Sequence, residues 1–216
     1  PPMLTVDGGM QGTIQRPAIG GGANWMGSAV DPETGILYVP SVNAYSVMKY
    51  ITPEPTDGGN LTYTQGGFAT PSLMPRGLPL FKPPYGRLSA FDLNTGELLW
   101  MKPNGEGPRD HPAIRHLDLP WLGQRGRPAP MLTKTLLFLG EGSEDALSIL
   151  PIAGGKFFRA WDKQTGSVVW EIELAAGTSG APMTYLSDGR QYIVVAIGDD
   201  DTPGRLVALA LPTGDQ

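Results

Sequence analysis

Apolar residues along this chain come in short runs separated by glycine, proline and polar clusters. Leu136-Leu137-Phe138-Leu139 and Tyr192-Ile193-Val194-Val195-Ala196-Ile197 are the clearest, each of strand length. Leu88 to Leu93 follows the alternating period of a half-buried strand, and Leu98 to Met101 starts another. Asn94-Thr95-Gly96 between them predicts a tight reversal, with glycine supplying the positive φ that a hairpin needs. No long segment carries the helical period. The pattern predicts an all-β chain of many short strands.

A repeat sharpens that expectation. Ala29-Val-Asp31-Pro-Glu-Thr34-Gly35, Ala90-Phe-Asp92-Leu-Asn-Thr95-Gly96 and Ala160-Trp-Asp162-Lys-Gln-Thr165-Gly166 share the frame Ala-x-Asp-x-x-Thr-Gly. Trp100 and Trp170 follow four residues after the glycine in two copies, and Tyr38 follows three after in the first. A weaker fourth copy, Arg205 to Gly214, has Ala210 in place of the Asp. The Asp side chain can accept from turn amides, and the aromatic offers a flat face to a neighbouring sheet. Asp31, Asp92 and Asp162 are spaced by 61 and 70 residues, and Ala210 follows 48 after Asp162. A four-stranded propeller blade takes roughly 40–50 residues. The longer gaps therefore imply loop insertions, near 42–84 and 103–130, in a β-propeller of about four antiparallel four-stranded blades.

Composition supports this and removes several functions. The 30 glycines and 22 prolines would suit a low-complexity chain, but 5 Trp, 7 Tyr and 6 Phe among defined apolar runs assign them to turns. Net charge is −5 with scattered basic residues, which argues against a nucleic-acid or anionic-membrane surface. With no cysteine, disulfides, thiolate metal sites and covalent haem attachment are excluded. No apolar run approaches the roughly 20 residues needed to span a bilayer. The chain opens Pro1-Pro2-Met3 and reads as a piece of a longer protein.

Most isolated chemical groups read as structural. His111 and His116 sit in a proline-rich insertion without a nearby nucleophile, as expected of a surface loop. Asp199-Asp200-Asp201 lacks the alternating ligands and closing Glu of a calcium loop and reads as a solvated hairpin tip; Glu141, Glu144 and Asp145 read the same way. Gly154-Gly155-Lys156 is not a phosphate loop, and no Gly-x-Ser-x-Gly elbow is present.

The Ala-x-Asp-x-x-Thr-Gly-x-x-x-Trp unit resembles the tryptophan-docking motif of quinoprotein dehydrogenases. Gly21-Gly22-Ala23-Asn24-Trp25, Pro84-Tyr85-Gly86-Arg87-Leu88, and Gly180-Ala181-Pro182-Met183-Thr184-Tyr185 with Asp188-Gly189-Arg190-Gln191-Tyr192 are also similar to segments of that family. The resemblance implies the C-terminal part of an eight-bladed propeller. It further implies pyrroloquinoline quinone (PQQ) on the propeller axis with Ca²⁺ beside it, and an alcohol or sugar substrate, glucose among the possibilities, that gives up hydride to the quinone. An external quinone or cytochrome would take the electrons, and the compartment would be the periplasm. Asn24 and Trp25 are the implied cofactor contacts, with Gly180, Ala181 and Pro182 facing the axis and Arg127 to Thr133 approaching it. The catalytic Asp and the Ca²⁺ ligands would lie in other blades, so no catalytic or metal residue is expected in this chain. Some glucose-oxidising relatives carry a His near the site mouth where this chain has Asp199 to Asp201, and alcohol-oxidising relatives carry Trp-Gly where it has Arg127-Pro128. The competing readings are a non-catalytic scaffold propeller of the outer-membrane assembly type and a carbohydrate-binding or lyase propeller. An open arc of blades would leave an apolar face at each end, so self-association is expected of the chain alone.

Overall fold

The computed structural model describes residues 12–18, 20–23, 26–54, 58–69, 76–143 and 154–212, with the side chains of 67–69 excepted. The strands are β1 (Thr13–Gln15), β2 (Ala29–Asp31), β3 (Ile36–Val42), β4 (Ser46–Ile51), β5 (Thr64–Ala69), β6 (Gly86–Asp92) and β7 (Leu98–Pro103), followed by β8 (Pro130–Leu132), β9 (Leu136–Gly140), β10 (Phe157–Asp162), β11 (Val168–Glu173), β12 (Met183–Ser187), β13 (Arg190–Ile197) and β14 (Arg205–Leu209). They form four antiparallel sheets. Two have four strands, in the orders β2-β3-β6-β7 and β11-β10-β9-β8; two have three, β12-β13-β14 and β1-β4-β5. The only helices among the described residues are two short 3₁₀ turns, Pro108–Asp110 and Arg115–Leu117.

The four sheets are distributed differently from the repeat. The first and second copies of the motif belong to one sheet, because Asp31 ends β2 and Asp92 ends β6. Their turns touch: Leu93 N–H donates to the Gly35 carbonyl at 2.9 Å, and Asn94 Nδ2 donates to that of Thr34 at 3.3 Å. The interval between them is therefore an insertion within a sheet, and its strands β4 and β5 join the preceding β1 as the fourth sheet.

The motif geometry follows from its residues. Ala29 faces Tyr38, Ala90 faces Trp100 and Ala160 faces Trp170 across adjacent strands. The register slips by one residue between Ala90 and Phe91 and between Ala160 and Trp161, and does not slip in the first copy. That β-bulge accounts for an aromatic four residues after the glycine in two copies and three in the other. The Asp92 and Asp162 carboxylates accept backbone N–H groups of Asn94 (2.7 Å) and of Gln164 and Thr165 (3.0 and 2.8 Å). Those bonds hold the Asp162 carboxyl below the usual carboxylate range. Gly96 and Gly166 take φ of +77° and +68°.

Two apolar seams join the sheets. Tyr38, Leu88 and Ala90 of the β2-β3-β6-β7 sheet pack against Leu137, Leu139 and Trp161 of the β8–β11 sheet. The opposite face of that middle sheet offers Met131, Phe138, Phe158 and Ala160 to Val195 and Ile197 of the third. A sheet covered on both faces needs apolar residues at every position, hence the unbroken run Leu136 to Leu139. The end faces are partly open among the described residues: Val30 on one and Leu206 (74% exposed) on the other meet solvent. The first face is less apolar than the sequence suggests, since β3 and β6 place Ser41, Arg87 and Ser89 on it.

Candidate functional site

Antiparallel connectivity sorts the loops to two ends of the sheets. The short turns, with all the Asp-x-x-Thr-Gly motifs, lie at one end. The long connections that leave β3, β7, β9, β11 and β13 start at the other, as far as their described residues go.

The short-turn end is a clasp between sheets. Lys163 Nζ donates to Asp31 Oδ2 at 2.6 Å, and Tyr38 Oη donates to the Lys163 carbonyl at 3.0 Å. The Lys163 hydrogen bond keeps the buried Asp31 carboxyl low against the opposing effect of desolvation. Burial, with help from Asp31 and Asp162, pushes the Tyr38 phenol up to about 12. Trp100 lies so close over Gly166 that an added Cβ would sit 2.7 Å from its ring. In the next interval Trp170 is 42% exposed and lines a cleft of 740 Å³ with Leu209 and Leu211. The matching Gly214 lies outside the described residues.

The long-connection end is where loops of different sheets meet. Asn104 Nδ2 donates to the Gly140 carbonyl at 2.8 Å, Ser143 N–H to Thr178 at 2.9 Å and Gly198 N–H to Gly177 at 3.1 Å. Gly20, Gly21, Gly22 and Gly27 form a cleft with Pro40 and Pro128, and Arg127 lines it too. This cleft borders Asn24 and Trp25 in the sequence, but those two residues lie outside the described set. Gly180, Ala181 and Pro182 lead into β12, with Ala181 exposed and Pro182 buried. A Cβ on Gly180 would meet only Ala196, at 3.7 Å, so the protein itself leaves room there. Glycine is required instead at Gly177, where a Cβ would come within 2.6 Å of the Ser143 backbone. A second cleft, of 230 Å³, has Gly142, Gly155, Lys156, Gly177 and Asp199 to Asp201 on its walls.

His111 sits in the inserted loop with Nδ1 accepting from Ala113 N–H at 3.1 Å, and His116 is exposed on the second 3₁₀ turn. Asp199 Oδ1 accepts the N–H groups of Asp201 and Thr202, as a hairpin tip does. Among the described residues no three His, Asp or Glu side chains are grouped to hold a metal. Burial pushes the Tyr85 phenol up, and it draws down the neighbouring Arg125 guanidinium.

Glu141 corrects the sequence reading. It is 2% exposed, not part of a solvated acidic loop; Glu144 and Asp145 lie outside the described residues. Its Oε1 accepts from Arg159 Nη1 at 2.7 Å, and its Oε2 accepts from Phe157 N–H at 3.3 Å. Arg159, 1% exposed, also reaches Glu171 and lies between the rings of Trp121 and Phe157. Gly105 and Gly155 press on the Glu141 carboxylate from two long connections. The pair ties strand β10 to the loops of the long-connection end. Its cue in the sequence was an arginine inside Phe157-Phe158-Arg159-Ala160-Trp161, a charge amid bulky apolar residues.

Residues 2–193 match the PQQ family described as glucose/ethanol/alcohol dehydrogenase, beta-propeller domain. The chain belongs to this family. Among curated proteins, it is 28% identical to the glycerol dehydrogenase large subunit of Gluconobacter thailandicus, over 92% of this chain and 30% of that one. It is 30% identical to the quinoprotein glucose dehydrogenase of Escherichia coli (strain K12), over 94% of this chain and 27% of the relative. The structure of quinohemoprotein alcohol dehydrogenase from Comamonas testosteroni superposes with a TM-score of 0.59 at 22% identity, covering 96% of this chain and 30% of that one. That likeness establishes a shared propeller fold. The PQQ-family chain thus spans less than a third of these relatives.

Proposed function

We propose that the chain is part of the propeller of a PQQ-dependent dehydrogenase that oxidises an alcohol or sugar in the periplasm and passes electrons to an external quinone or cytochrome. The match to the PQQ family over residues 2–193 carries this reading. PQQ, when bound, supplies the hydride-accepting carbonyl. The cleft of Gly20 to Gly22, Gly27 and Pro128 has only about 20 Å³ open and does not by itself fit the quinone, so most of the cofactor's wall is assigned to polypeptide beyond this chain. Asn24 and Trp25, next to that cleft in sequence, are assigned to the quinone's polar edge and ring face, and Gly180 to Pro182 to a neighbouring part of the same wall. The described residues offer no grouped carboxylates that fit Ca²⁺; by the resemblance to the family, the metal ligands and the catalytic base are assigned to polypeptide beyond this chain. The relatives' names span glycerol, glucose and quinate, which supports a hydroxyl-bearing substrate without choosing one.

The test pairs the longer parent protein with this chain. Calorimetric and absorbance titrations with PQQ and Ca²⁺ should show saturable binding by the parent, weakened by Asn24→Ala. Dye reduction over a panel of alcohols and sugars should occur with the parent and be absent with the 216-residue chain. A parent that does not bind micromolar quinone would put the scaffold reading ahead, and turnover by the chain alone within tenfold of the parent would refute the assignment of the base.

A further inference from the structure

Two stretches of the long-connection end lie against each other with no side chain between them. A Cβ on Gly126 would strike the Glu141 carbonyl oxygen, and one on Gly142, whose φ is +81°, would strike the Arg127 nitrogen. The backbones of 126–127 and 141–142 are therefore in direct contact, and close-packed groups move together. Arg127 and Pro128 go on to line the cleft that they share with Gly20, Gly21, Gly22 and Gly27. Wherever residues 141–142 sit, that side of the cleft follows. Glu141 directly follows β9 of the middle sheet, which has a neighbouring sheet on both faces, so these contacts are interior to the chain.

The place of residues 141–142 is set from β10. Glu141 N–H donates to the Phe157 carbonyl at 3.0 Å, and the Gly142 carbonyl accepts from Gly155 N–H at 3.0 Å. The Glu141 carboxylate, bonded to Arg159 and to Phe157 N–H, has no room to swing, since a Cβ on Gly105 or Gly155 would collide with it. The Arg159 guanidinium is held in turn by the Trp121 and Phe157 rings, whose centres lie 4.7 and 4.9 Å from its carbon. Trp121 and Gly126 belong to one connection, pinned where the N–H groups of Leu122, Gly123 and Gln124 donate to the carbonyls of Glu106, Gly105 and Asn104. The pair thus grips that connection at two points, through the guanidinium at Trp121 and through the Glu141 backbone at Gly126. Stability alone does not account for a pair buried this deeply, because apolar groups in its place are often as stable or more so. A planar guanidinium adds what apolar groups lack, a fixed direction for its partner.

We propose that Glu141 and Arg159 are positioning residues for the Arg127–Pro128 wall of the glycine cleft, which neither side chain lines. The effect on quinone binding rests on the dehydrogenase reading; the effect on the loop does not. The test uses Arg159→Met/Glu141→Gln, which leaves no buried charge, and Arg159→Lys, which keeps the charge without the fork. Urea midpoints establish that each variant is folded, and should the double variant not fold, Arg159→Lys carries the same comparison. Without quinone, hydrogen exchange of the chain is followed by mass spectrometry. In the double variant it should be about tenfold faster or more over 124–129 and 141–143, and unchanged over β6 and β13. In the parent, calorimetric affinity for PQQ with Ca²⁺ should fall about tenfold, with Arg159→Lys between the double variant and wild type. Unchanged exchange over 124–129 would overturn the proposal. So would exchange accelerated equally throughout the chain, which would reduce the pair to general support. Unchanged quinone affinity beside a loosened 124–129 would refute the link to the cleft. A wild-type parent that binds no quinone would count against the dehydrogenase reading and leave the exchange result standing.

Discussion

Replacing Arg159 by Met tests whether the buried ion pair organises the long-connection end. Arg159 is 1% exposed and Glu141 2%, so the substitution leaves a carboxylate enclosed by protein with, among the described residues, only the Phe157 N–H as donor. Removing one member of a buried pair costs about 3–5 kcal/mol, chiefly from the uncompensated charge. The Arg159–Glu171 contact adds little, because Glu171 is exposed and its charge is screened. For a domain of this size, about 2–4 °C per kcal/mol translates the loss into a melting point lower by roughly 6–20 °C. Arg159→Met/Glu141→Gln should recover much of it, since no buried charge remains and the glutamine carbonyl can still accept from Phe157. Urea unfolding of wild type, both single variants and the double variant forms the cycle. A single-variant loss below about 1 kcal/mol, or a double-variant loss equal to the sum of the singles, would refute the reasoning, because members of one pair do not add.

Three further outcomes follow from the short-turn clasp. Asp31 has its carboxyl pKa lowered by Lys163, so the pair's stabilisation is full above the unfolded value of about 4 and is lost as pH falls through the folded one; Asp31→Asn should flatten the acid limb of urea midpoints measured against pH, and an unchanged limb would count against the clasp. Tyr38, raised to about 12, favours folding below the unfolded phenol value of about 10 and ceases to as pH climbs through 12; Tyr38→Phe should remove the last-ionising phenol from an ultraviolet titration and cost about 1 kcal/mol through the lost bond to Lys163. Gly96→Ala should cost about 1–2 kcal/mol for its positive φ alone, nothing being within 4 Å of the new Cβ, whereas Gly166→Ala should cost more because that Cβ strikes Trp100; equal losses in thermal melts would remove the packing argument.

Much of the fold was legible because the repeat spells out its own hydrogen bonds. An Asp that accepts turn amides, a glycine with positive φ and an aromatic opposite the alanine are local requirements, and the second and third copies have all three. What the repeat could not say is which turn of a sheet it occupies. In the β2-β3-β6-β7 sheet both the first-to-second and the third-to-fourth strand turns carry the motif, so the Asp31 to Asp92 interval looks like a step between sheets although it lies within one. The small sheet of β1, β4 and β5 had no repeat to announce it. Glu141 was misread for a related reason: its partner Arg159 lies 18 residues on, in the next strand, and only strand pairing brings the two together.

The division between the two ends explains why the candidate site was harder to read than the fold. At the short-turn end every sheet must meet its neighbour in the same way, so the same residues recur, and Asp31, Lys163, Trp100 and Gly166 form contacts that a repeat can encode. At the long-connection end each loop meets a different neighbour. Gly177 yields to Ser143, Gly105 and Gly155 to Glu141, and Gly123 to Gly86, each approach made by a different pair of segments. Glycine there marks backbone packing as readily as a ligand's approach, and the sequence alone shows both as a glycine-rich loop. The structure separates them. Gly177 is required by its own backbone neighbours, whereas Gly180 and Gly27 meet little or nothing within 4 Å, so the space beside those two is open to a ligand. Gly180→Ala, with only Ala196 at 3.7 Å from the new Cβ, should therefore weaken a bound ring without unfolding the chain, whereas Gly27→Ala would add the strain of its φ of +83° and a Gly177 substitution should unfold the loop whether or not a ligand is present.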